Sequence, residues 1–228
     1  MNIVWGYNGT IIPFLPYSAF YSSDHILIDY LRVNNYLQLK KKIIASLLLK
    51  HEHSPLFQRW FRGHLGYFLK GHPSIVLENV SKILSTKISE PVLKVMHILQ
   101  NSGFEQYIAS CSADSLLKNS LYCKDGADSI FRGIVGNHIT SYSGQIMDYT
   151  CSFRNGADKV SFVENTLHLS PDNTVVIGAS PDDIPLLEWS NYPILVDASR
   201  DGWKKYEDKH FIFMESVQMV PEIIKSLV

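Results

Sequence analysis

The second half of the chain is marked by short apolar runs that are separated by segments of helical period. "QYIAS" (106–110), "TVVIGA" (174–179), "YPILVDA" (192–198) and "HFIFM" (210–214) have the length and β-branched content of buried strands. Between and after them, "DKVSFVENTLHL", "DDIPLLEWS" and "ESVQMVPEIIKSLV" repeat their apolar positions as helices do, with Pro221 placed to kink or delay the last. Strands alternating with helices predict an α/β fold, a doubly wound parallel sheet with helices on both faces. "IVW" (3–5) predicts one more central strand.

Residues 14–100 break this rhythm. They hold no strand pattern, and several stretches have helical period: "DHILIDYLRVNNYLQLKKKIIASLLLK", "SIVLENVSKILS" and "SEPVLKVMHILQNSG". The last is framed by Ser89 at the N-cap, Pro91 in the first turn and Gly103 past the end. The expected organisation is an α/β core from 1–13 and 101–228, interrupted by a helical insert over 14–100.

Composition narrows the function classes. A formal net charge of −1 leaves no global field to recruit nucleic acid or a membrane, and neither is expected as a partner. No basic, apolar leader opens the sequence, and the apolar run at 43–49 is too short to span a bilayer. Three cysteines (Cys111, Cys123, Cys151) without metal-like spacing point to reduced thiols and a cytoplasmic setting. His51 and His53 form an H-x-H, read either as metal ligands or as a solvated helix end.

In a doubly wound sheet, ligands gather at the carboxyl ends of the strands. "GYNGT" (6–10), "SCSADS" (110–115) and "GASPDD" (178–183) fall at such ends, and Lys159 opens a helix ahead of the last. A Gly-Thr turn, a strand-end Ser, a Lys and a G-x-S-x-x-D in this order resemble the haloacid dehalogenase superfamily. The layout is similar to its phosphoserine-phosphatase-like members, which carry a helical cap after the first motif. "IVWGYNGTI" stands where that family has hhhDxDGT, and "VVIGASPDDIPLL" where it has hhhGDSxxDxxxL.

The resemblance implies an active site from which the reacting groups are missing. The family's nucleophilic Asp is Gly6 here, its acid-base Asp is Asn8, and the first Asp of the fourth motif, which helps hold Mg²⁺, is Ala179. Asn8 and Asp183 remain as degenerate catalytic positions. Gly9, Thr10, Ser110 and Lys159 remain as phosphate-binding positions, with the turn's N–H groups as a possible anion nest. Only Asp182 and Asp183 are left as metal carboxylates, so weak or absent Mg²⁺ binding is expected. Arg59, Arg62 or His64, in the basic and aromatic run at 59–72, would grip an anionic ligand from the cap or else form a solvated helix face.

Each position also has a plainer reading. Ser110 would cap a following helix, Lys159 would be solvated, and Asp182 and Asp183 would be first-turn helix charges. Cys111, next to Ser110, would point away from the site by strand alternation. Three functions stay open at this stage. One is a pseudophosphatase that binds a phosphorylated small molecule or regulates a protein partner. The second is a slow phosphatase using water as nucleophile, and the third is an interaction module with a vestigial pocket.

Overall fold

The computed structural model describes residues 1–13, 22–50, 55–124, 126–196 and 206–227. His51 and His53 lie outside them. Seven strands form one sheet in the order β4-β3-β2-β1-β5-β6-β7. β1 (Asn2–Trp5) is central, paired in parallel with β2 (Glu105–Ala113) on one side and β5 (Thr174–Gly178) on the other. β6 (Tyr192–Val196) and β7 (Ile212–Met214) extend the parallel order beyond β5. The switch in strand order therefore falls at β1, and it brings the ends of β1, β2 and β5 together.

Strand alternation distributes the core between the two faces. Ile3, Trp5, Ile108, Val175 and Ile177 share an apolar cluster with the helices between β1 and β2, the helix after β2 and the last helix; Val4, Tyr107, Ala109 and Val176 turn to the helices before and after β5. Among the described residues of the insert are α1 (Ser23–Val33), α2 (Leu39–Lys50), α3 (Pro55–Leu69), α4 (Ile75–Ser85) and α5 (Glu90–Asn101). α6 (Asp114–Cys123) follows β2, α7 (Gly156–Asn165) precedes β5, α8 (Ile184–Trp189) follows it, and α9 (Val220–Leu227) ends the description. Trp5 donates to the Gln106 side chain at 3.0 Å and Gln106 donates to Met96 O at 2.9 Å, so α5 is tied to the sheet through satisfied buried polar groups. No described helix is long and apolar enough to cross a membrane.

Two elements depart from the sequence expectation. The helical stretch over 24–50 is broken: Asn34 caps α1, its side chain donating to Tyr30 O, and Asn35 takes φ 61° before α2 begins. Asn tolerates the left-handed region that β-branched residues avoid, so the Asn-Asn pair marks the break. A hairpin unseen in the sequence pattern, β3 (Phe131–Tyr142) and β4 (Gln145–Thr150), forms one edge of the sheet, with β4 antiparallel. Its two-residue turn is Ser143-Gly144, both at positive φ as a type I′ turn requires. Pro221 sits in the first turn of α9, which starts at Val220 after a 3-10 turn, so the proline delays this helix.

Candidate functional site

The site lies where β1, β2 and β5 end together, and its centre is Asp183. Gly178 closes β5, and Ser180-Pro181-Asp182-Asp183 turns the chain into α8 through a capping box. Asp183 is 2% exposed, and its carboxylate accepts four hydrogen bonds. Oδ1 takes one from Lys159 Nζ at 2.6 Å. Oδ2 takes three, from Ala179 N at 3.1 Å, Ser180 N at 2.9 Å and Ser180 Oγ at 2.7 Å.

Glycine at position 6 is what leaves room for this carboxylate. A Cβ at residue 6 would stand 2.6 Å from Asp183 Oδ2 and 2.8 Å from Oδ1, closer than side chains pack. A Cβ on Gly178 would meet Asp183 Cβ at 2.6 Å. Two glycines on adjacent strands thus make the slot, and Asp183 fills the space into which a residue-6 side chain would project.

Lys159 reaches this carboxylate from α7. Asn155 caps α7, accepting from Ala157 N at 2.8 Å, while Asp158 accepts from Asn155 N at 3.1 Å. One position further on, Lys159 is 2% exposed. Burial works against its charge, but Asp183 outweighs that and holds the ammonium above its ordinary pKa.

A second buried pair sits beside the first. Arg62, from α3, donates in a fork to Asp182, with Nη1 to Oδ1 at 3.1 Å and Nη2 to Oδ2 at 2.5 Å. It also donates to Arg154 O at 3.2 Å. Burial opposes both charges, yet each favours the other: Asp182 is held below the ordinary carboxylate range and Arg62 above its own. Arg59, three residues earlier, is on the exposed side of α3, as is His64.

The β1 turn is joined to its surroundings in the same internal manner. Asn8 donates to Ser112 Oγ at 3.0 Å and accepts from Ser23 N, at the start of α1, at 3.0 Å. The Gly9 amide donates to Ile12 O at 2.7 Å and the Thr10 amide to Tyr7 O at 3.4 Å, so both nest donors point at their own loop. The Thr10 hydroxyl is buried and has no hydrogen-bond partner among the described residues.

Ser110 lies inside β2, accepting from Ser112 N at 3.2 Å, and Ala113 rather than Ser110 occupies the N-cap of α6. The β2–β3 register shifts between Ala109 and Ala113, and Asn137 braces this bulge by donating to Cys111 O at 2.6 Å and Phe153 O at 3.1 Å. The bulge cancels simple alternation. Cys111 is buried, and Asp182, Arg62, Lys159 and Asp183 are the charges that act on it. Burial pushes its thiol up to about 12, so it stays protonated and a weak nucleophile.

Sequence reasoning missed Asp24 as a member of this cluster, because in "SSDH" it reads as an ordinary first-turn acid. It is 1% exposed, accepts from Ala113 N at 3.3 Å, and is pushed up to about 6 by burial, which Arg62, Ala113 and Ser112 partly offset. His25 beside it stacks on Phe61 at 5.1 Å and is lowered to about 3, by burial first and then by Arg62. Ser180 and Ser112 were also missed, although S-x-x-D before α8 is a capping-box signal. Among the described residues no three His, Cys, Asp or Glu side chains gather as a metal's ligands would.

Solved structures share this architecture. A substrate-bound phosphoserine phosphatase complex superposes with a TM-score of 0.64 at 16% identity, over 98% of this chain and 96% of that one. A protein of unknown function from Bordetella pertussis Tohama I gives a TM-score of 0.69 at 12% identity, covering 94% and 97%. Cytosolic 5'-nucleotidase IIIB bound to cytidine gives 0.63 at 14% identity, covering 99% and 84%. None of the curated proteins matches the sequence. A sequence profile for haloacid dehalogenase-like hydrolases matches residues 3–212, nearly the whole span from β1 to β7. The chain belongs to the haloacid dehalogenase-like hydrolases.

Proposed function

We propose that this chain is a pseudophosphatase, a member of its family that acts as a binding or regulatory protein and lacks phosphomonoesterase chemistry. The observation that carries the reading is the Asp183 carboxylate lodged in the space vacated at Gly6 and bonded to Lys159. An internal anion already satisfies the cation that would otherwise meet a phosphate. Arg62 is satisfied likewise by Asp182.

The family generally uses Mg²⁺, and the donor set here does not fit it. Mg²⁺ asks for octahedral oxygen ligands, usually with one or two free carboxylates. Gly6 and Ala179 offer none, Asp183 is consumed by four donors, and Asp182 is forked to Arg62. No step through the metal is therefore assigned. Neither position where the family carries its acid-base or last-motif carboxylate stands ready to activate water: the Asn8 amide has no usable proton equilibrium, and both Asp183 oxygens are engaged.

The test is turnover of a broad panel of phosphate monoesters with Mg²⁺, run beside Lys159→Ala, and beside Ser110→Ala in case loss of the buried lysine unfolds the chain. The expected result is no activity above either variant. Turnover by the parent that disappears in a folded variant would overturn the proposal and restore the slow hydrolase.

A further inference from the structure

The net charge of −1 conceals a local segregation. From residue 30 to residue 50 the sequence contains Arg32, Lys40, Lys41, Lys42 and Lys50 and no acid at all. On the same stretch the structure leaves large apolar side chains in solvent. Leu39, Ile43 and Leu47 are 75%, 55% and 52% exposed, at i, i+4 and i+8 along α2, and so form one stripe on the outer side of the helix. Its buried residues, Ala45 and Leu48, lie on the opposite side. Val33 at the end of α1 is 60% exposed, and Trp60 and Tyr67 on α3 add half-exposed rings. α2 and α3 are tied together where Lys41 donates to Tyr67 O at 2.5 Å and lies over the Tyr67 ring.

Leu39, Ile43 and Leu47 together make an apolar row on one helix face, the kind of surface that marks an interaction site. We infer that the outer face of α2 docks on an anionic phospholipid surface. Charge complementarity carries the choice: Lys40 and Lys42 flank the stripe, and Asp29, a carboxylate bordering α2 among the described residues, is already paired with Arg32 at 2.6 Å. A row of leucine and isoleucine flanked by Lys40 and Lys42 matches the apolar row and basic borders of a helix lying in the membrane interface. A shallow depression of about 390 Å³ between Arg32, Lys42, Ser46, Ile43 and Leu47 places cations and a hydroxyl beside the apolar row, the chemistry of a phosphate headgroup above its acyl chains. The sequence expectation of no membrane partner rested on total charge, which averages this face with an acidic remainder. The inference is independent of whether the Asp183 site is catalytic.

Vesicle flotation with the full chain tests it, comparing phosphatidylcholine vesicles with vesicles that also contain phosphatidylserine. Binding is expected to the anionic vesicles only and to weaken as salt is raised. The pair Lys40→Ala and Lys42→Ala should lower the partition coefficient about 30-fold, from the usual contribution of a basic residue near an anionic surface. Leu39→Ser with Leu47→Ser should lower it at least about tenfold. Leu39, Leu47 and Lys40 are exposed and Lys42 is half-buried with one bond to Asn35, so the thermal midpoint should stay close to that of the parent and separate lost binding from lost folding. Absence of binding, equal binding to neutral vesicles, or indifference to both pairs would overturn the inference. So would concentration-dependent self-association, or capture by polyglutamate without vesicle binding, since these give the stripe to a second copy or an acidic protein.

Discussion

Gly6→Ala adds one carbon to the chain, and the structure makes that carbon costly. It would sit 2.6, 2.8 and 2.9 Å from Oδ2, Oδ1 and Cγ of Asp183. The far end of a free side chain would swing aside cheaply, but this one is held by Lys159, the Ala179 and Ser180 amides and the Ser180 hydroxyl. Moving it breaks part of a buried, charge-assisted set, each bond of which is worth about 1.5–3 kcal/mol. Separating Lys159 from its partner approaches the roughly 3–5 kcal/mol of a broken buried pair. Gly6→Ala should therefore destabilise by about 3 kcal/mol, a cost that outweighs the roughly 0.4–1 kcal/mol by which the change stabilises through the entropy of the unfolded chain. Urea unfolding of the parent, Gly6→Ala, Asp183→Ala and the double variant closes the cycle. Once Asp183 is truncated the added methyl has room, so Gly6→Ala should then be nearly neutral, leaving a coupling of at least about 2 kcal/mol. An equal cost in both backgrounds would refute the claim that Asp183 occupies the residue-6 space.

Two further outcomes follow from the buried charges. Asp24 is raised from 3.8 to about 6 in the folded chain, so its contribution is fully present below pH 3.8 and is lost as pH rises through 6. Relative to the parent, Asp24→Asn should gain up to about 3 kcal/mol in urea unfolding between pH 4 and pH 7; a pH-independent difference would refute it. Arg62→Ala strands Asp182 in a partly buried site and should cost about 3 kcal/mol. Amide exchange should then quicken in α3 ahead of β1 and β5, whereas uniform quickening would mean that the fork does not hold α3 to the core.

The fold was legible because its strands are short apolar runs whose period and spacing admit few alternatives. β3 was not, because a half-exposed edge strand carries polar residues on both sides, as "GNHITSY" does. Its Ser-Gly turn was the available signal. At the candidate site, "GYNGT", Lys159 and "GASPDD" were singled out because their order along the chain resembles the family's motifs, and the structure brings Gly6, Ala179, Lys159 and Asp183 together. The direction of the Asp183 carboxylate was not readable. It depends on Gly6 and Gly178, at the ends of adjacent strands but far apart in the chain, and no one-dimensional pattern registers a shared void. The Arg62–Asp182 pair is similar: a helix run and a strand-end loop 120 residues apart state each charge but not their meeting.

The central position of β1 has a consequence for synthesis. Its two neighbours in the sheet come about 100 and 170 residues later in the chain. At ribosomal rates of about 5–20 residues per second, the "IVW" strand waits roughly ten seconds or more for its second partner. During that time an apolar strand with at least one edge unpaired is exposed on the nascent chain. The helices of the insert are made first and can form locally, while the sheet closes only when β5 emerges. This protein therefore passes through a long interval of synthesis in which chaperone capture of its first strand competes with aggregation.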